Sequence, residues 1–161
     1  MKETFQIFLN SRDAMTGSAN PNICSFNLSQ IIPNISTERC SVRCSYFECR
    51  VISSAWTTAD VSSILVTAAN HIAKNSYESN SDTTVRNSKI IGIFNTGSTL
   101  SIANQEQANE QFIDIGNIFD GILTIELVDQ RRRSLVGDLN TIDKYWSLMI
   151  DVIVHESCGC D

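Results

Sequence analysis

Apolar and polar residues alternate with a period of two along much of this chain, most clearly between Gly121 and Val154. In Ile122–Asp129 (ILTIELVD), Leu123, Ile125 and Leu127 share one parity, and Thr124, Glu126 and Val128 the other. In Tyr145–Val154 (YWSLMIDVIV), Trp146, Leu148, Ile150, Val152 and Val154 alternate with Tyr145, Ser147, Met149, Asp151 and Ile153. Successive side chains of a strand point to opposite faces, so both stretches read as half-buried strands.

The same reading extends towards the N-terminus. Phe5, Ile7 and Leu9 alternate with Thr4, Gln6 and Phe8 in a first strand that stops at Asn10-Ser11-Arg12-Asp13. Gly17–Asn22 is dense in turn formers and reads as a loop. Cys24, Phe26 and Leu28 mark a short second strand, ended by Ile31-Ile32-Pro33-Asn34. In Val42–Ile52 the apolar parity switches between Tyr46 and Phe47, as an inserted bulge residue would cause. A strand apolar on both faces is the alternative. Val61–Ala69 is a fourth strand with Ile64, Val66 and Ala68 facing in, although its alanines also suit a helix.

Asn70–Asn87 is polar and reads mostly as a long surface loop. Lys89–Phe94 is a fifth strand, and Asn95-Thr96-Gly97-Ser98 reads as a hairpin turn into Thr99–Ala103. Asn104–Glu110 reads as a short helical turn or a loop, and Gln111–Ile115 as a strand.

This makes eight or nine strands with no long amphipathic helix and no strand–helix alternation, which excludes a parallel α/β sheet. The expected architecture is an all-β, eight-stranded antiparallel β-sandwich, a single jelly roll. An Ig-like sandwich is the neighbouring alternative, but its inter-sheet Cys pair and strand Trp have no convincing place here. The segment Gln130–Lys144 is too long for a tight turn. In a jelly roll the last two strands lie in opposite sheets, so the Trp146 face should pack on the Leu123 face across the sandwich.

Length and charge narrow the class. The 161 residues suit one domain, placed at residues 1–156 with a Cys-containing tail at 157–161. A chain of this size can bury roughly 70% of its unfolded surface and needs no staples. Twelve basic against 18 acidic residues give a net charge of −6, which argues against a broad nucleic-acid surface and suits a protein that meets other proteins. The N-terminal MKETFQIFLN lacks an apolar core and does not read as a secretory signal. No run of about 18 apolar residues exists to span a membrane. A cytosol-like compartment is expected, where the six cysteines stay mostly reduced. The triplets Asn27-Leu28-Ser29 and Asn34-Ile35-Ser36 then read as chance glycosylation sequons.

Candidate chemistry is sparse. Cys40, Cys44 and Cys49 do not match paired zinc spacings. His155, Cys158 and Cys160 could offer three metal ligands, with Cys40 or Cys44 as a fourth. The favoured reading is no metal and no cofactor: buried cysteines act as small hydrophobes beside a frayed tail with two exposed thiols, Cys158 and Cys160, and a disulfide from this tail to a neighbouring chain is the minority alternative. His71, at the start of the polar loop, and His155, at a strand end, read as solvated and non-catalytic, and there is no nucleophile elbow or phosphate loop. Arg131-Arg132-Arg133 is the one sharp charge cluster. It is either a solvated turn, the commoner case, or a docking spot for an acidic protein and, ranked below it, a phosphate backbone, since the planar guanidinium binds carboxylate and phosphate bidentately. The chain is not expected to be an enzyme.

Phe5–Leu28 (FQIFLNSRDAMTGSANPNICSFNL) resembles the N-terminus of small jelly-roll capsid proteins of large eukaryotic DNA viruses, the minor capsid and penton types. The likeness lies in the alternating strand Phe5–Leu9, Asn10-Ser11-Arg12-Asp13, the loop Gly17–Asn22 and the short strand Cys24–Leu28. Ile122–Asp129 and the Trp-led strand Trp146–Val154 are similar at the far end, while Val42–Ile115 matches only as generic strands. The tail Ser157–Asp161 and the Arg131–Arg133 loop depart from the pattern. The resemblance implies an architectural protein of the virion, made in the host cytoplasm. It would assemble with the major capsid protein, with minor capsid proteins or with itself, as a possible homopentamer, and would need no cofactor. A lectin-like jelly roll is the alternative, with Trp56 and Tyr77 as the sugar-stacking candidates.

Overall fold

Nine strands form in the computed structural model, which describes residues 2–15, 22–49, 63–72, 88–95, 102–106, 111–130 and 145–155. They are β1 (Lys2–Asn10), β2 (Ile23–Asn27), β3 (Arg39–Cys49), β4 (Ser63–Ile72), β5 (Ser88–Asn95), β6 (Ile102–Glu106), β7 (Ile113–Gly116), β8 (Ile122–Asp129) and β9 (Trp146–His155). Single 3₁₀ turns at Ser11–Asp13 and Phe119–Gly121 interrupt them, and no described helix is long and apolar enough to cross a membrane. The expected all-β sandwich is what these residues form.

All pairings are antiparallel and nested. β1 pairs β9, β2 pairs β8, β3 pairs both β6 and β7, and β4 pairs β5. The chain is thus one long hairpin folded on itself. Two further ladders, β3 on β9 and β4 on β8, close it into sheets of order β1-β9-β3-β6 and β2-β8-β4-β5. β6 and β7 share one edge of β3, β7 along its first half and β6 along its second.

The period of two decides what fills the middle. Ile7, Leu9, Val42, Cys44, Phe47, Leu148, Ile150 and Val152 of one sheet meet Phe26, Ile64, Val66, Leu123, Ile125 and Leu127 of the other in a single core. Two aromatic pairs bridge the sheets. Phe26 and Trp146 meet edge-on with centroids 6.0 Å apart, and Phe47 and Phe94 lie 5.2 Å apart. The Trp146 face and the Leu123 face therefore share the core, as expected of strands in opposite sheets.

The parity switch in β3 is a bulge. Its register against β9 shifts between Cys44 and Tyr46, so Cys44 and Phe47 both point inward. One end of the core is closed by a turn rather than a strand. Ile32 and Ile35, between β2 and β3, are fully buried beside Ile118, and the Ile118 N–H donates to the Ile35 carbonyl.

Three expectations are corrected. β5 and β6 lie in different sheets, so they do not form the hairpin expected across Asn95–Ser98. Asn104–Glu106 belongs to β6 rather than to a helical turn or loop. β4 runs on through Asn70, His71 and Ile72, so the polar loop does not begin at Asn70. Past the β4–β8 ladder, the Asn70 side chain takes over the pairing. It donates to the Ile122 carbonyl at 2.8 Å and accepts from the Thr124 N–H at 3.1 Å.

Candidate interaction surface

The register of β1, β9 and β3 lays the outward residues of their sheet in rows. One row is Thr4, Ile153, Ser41 and, on β7, Asp114. The next is Gln6, Asp151 and Arg43. After the bulge come Phe8, Met149 and Tyr46, then Asn10, Ser147 and Glu48.

The Gln6 row is polar and fixed. Arg43 Nε donates to Asp151 Oδ2 at 2.8 Å, and Gln6 Nε2 donates to Asp151 Oδ1 at 3.1 Å. The Arg43 guanidinium also lies 4.7 Å from the centre of the Phe112 ring. The adjoining row is apolar. Met149 and Tyr46 are half-buried, while Phe8, on the outermost strand, leaves 57% of its surface in solvent. Asn10 Nδ2 donates to Ser147 Oγ at 3.0 Å beyond it. A hydrogen-bonded polar band thus lies beside an exposed aromatic.

At the far end, Ser41 Oγ and His155 Nε2 are 2.8 Å apart, a hydroxyl–imidazole tie between β3 and β9. Asp114, in the same row as Ser41, is committed elsewhere. Its Oδ2 accepts from Arg39 Nε at 2.9 Å and its Oδ1 from the Gly116 N–H at 2.9 Å. The Arg39 hydrogen bond is the main cause that holds the Asp114 carboxyl down at about 2. Lys89 of β5 donates its Nζ to the Asp114 carbonyl, tying the two sheets at this corner.

The buried thiols behave as core groups. Cys24, Cys40 and Cys44 are buried. Burial pushes Cys24 and Cys40 up to about 11 and Cys44 up to about 12, so they are neutral thiols near pH 7, not nucleophiles or ready ligands. Cys40 and Cys44 face the core, whereas His155 bonds Ser41 on the outer face of the same sheet. Neither cysteine can therefore complete a metal site with His155. No cluster of three metal-binding side chains occurs among the described residues.

His155 ends β9 as expected but is held by Ser41, and His71 lies within β4 rather than in a loop. Arg131, Arg132, Arg133, Cys158 and Cys160 lie outside the described residues, as do Trp56 and Tyr77. No protein-family model matches the chain, and no curated protein matches it. The alternation puts Asp151 on the outward parity of its strand but does not identify its partners. Arg43 and Gln6 are 108 and 145 positions away, and only the strand register brings them together.

Proposed function

We propose that this chain is a structural shell protein, a single jelly-roll minor capsid or penton-type protein that assembles with itself, with a major capsid protein, or with both. The strand order carries the reading. First pairs with last, second with next to last, and so inward, with both sheets closed by β3 on β9 and β4 on β8. That nested order supports the jelly-roll reading. The N-terminal resemblance in Phe5–Leu28 and the acidic balance, unsuited to a nucleic-acid surface, support it further. The exposed Phe8 row offers such a protein a contact face.

The test is coexpression with a double-jelly-roll major capsid protein, followed by imaging of the purified shells. Density for this chain at the vertices, with a pentameric mass in solution, supports the penton type. Density under or between the capsomers supports a minor capsid position. Shells that never contain it, together with specific binding on a glycan array, would overturn the proposal in favour of a lectin.

A further inference from the structure

We draw no further inference here: the strongest candidate, the exposed apolar side chains of Ile31 and Phe119 on the two turns that the Leu28–Gly121 and Ile35–Ile118 hydrogen bonds join at one end of the sandwich, carries nothing because no observation in the structure shows what covers them.

Discussion

Arg43 Nε lies 2.8 Å from Asp151 Oδ2 on the outward side of a sheet, yet the Asp151 side chain keeps only 6% of its surface exposed. Gln6 supplies the second donor and Phe112 lies against the Arg43 guanidinium, so the pair is enclosed by its own row. Enclosure makes the loss of one partner worse than the loss of both. Removing the arginine leaves a desolvated carboxylate with one amide donor. Arg43→Ala should cost about 3 kcal/mol, the low end for a buried pair because Arg43 retains 27% exposure. Arg43→Met combined with Asp151→Leu should stay within about 1 kcal/mol of the original. Urea unfolding of the three proteins decides this; equal losses for the single and double variants would contradict it.

The core thiols give a pH dependence on the alkaline side. Cys24 and Cys40 are raised to about 11 and Cys44 to about 12 from a model-peptide value of 9.0, each mainly by desolvation. Below pH 9.0 they are neutral in both folded and unfolded chains, and their contribution to stability is fully present. Above it the unfolded chain ionises first and binds fewer protons than the folded one, so stability falls as pH climbs from about 9 towards about 11. Denaturation midpoints taken from about pH 8 to about pH 11 should show this slope. Cys44→Ala, less stable throughout because of the cavity it leaves, should show a shallower one. At about pH 8, iodoacetamide should label Cys24, Cys40 and Cys44 only after unfolding.

How far residue patterns reach is plain from particular strands. The alternation in Ile122–Asp129 marks β8 to the residue, and the parity switch at Phe47 marks the β3 bulge, because both are local consequences of the pleat. The turn formers at Asn95–Ser98 misled for the opposite reason: the same residues suit a tight turn and a crossing loop, and nothing local says which sheet the next strand joins. β4 outruns its apolar pattern because Asn70 is held by β8, a partner 52 residues away at Ile122. Glu126 and Val128 are buried although they stand on the outward parity, since period distinguishes faces but not what lies over them. The Arg43–Asp151–Gln6 band depended on register between distant strands and so could not be read from spacing.

Acid should act through Asp114. Its carboxyl is lowered to about 2 from 3.8, first by the Arg39 hydrogen bond and further by the Gly116 N–H and nearby charge, against a partial opposing effect of burial. A depressed folded value means the stabilisation is present above pH 3.8 and is lost as pH falls through about 2. The Asp114 side chain is 40% exposed, so solvent screening keeps the effect on stability small and the titration itself is the better readout. In carbon-detected NMR, Asp114 should titrate at about 2, well below 3.8. Arg39→Gln should move it up towards 3.8, and an unchanged midpoint would show that Arg39 is not the cause.

Gly121 enters β8 at φ +68, directly after Asp120 at φ +56, where the chain turns back against the end of β2. Its carbonyl accepts the Leu28 N–H at 2.8 Å, and a Cβ placed on it would stand 2.7 Å from Ser29 Cβ and 3.2 Å from Ser29 N. An alanine there meets two separate penalties, the left-handed backbone and the contact with Ser29. Gly116 isolates the first, because it has φ +74 and nothing within 4 Å of its own Cβ position. Gly116→Ala should therefore cost about 1 kcal/mol, the strain of a left-handed residue with a side chain. Gly121→Ala should cost about 3 kcal/mol, since Ser29 presents its backbone as well as its Cβ and cannot simply rotate away. Ser29→Gly removes the nearer atom. Added to Gly121→Ala, it should recover part of the lost stability, although alone it destabilises by removing the hydroxyl that donates to Asn27 Oδ1, while the residue 29 N–H still donates to the same oxygen. A thermodynamic cycle over these variants separates the two penalties; strictly additive losses would mean the contact with Ser29 Cβ does not set the cost.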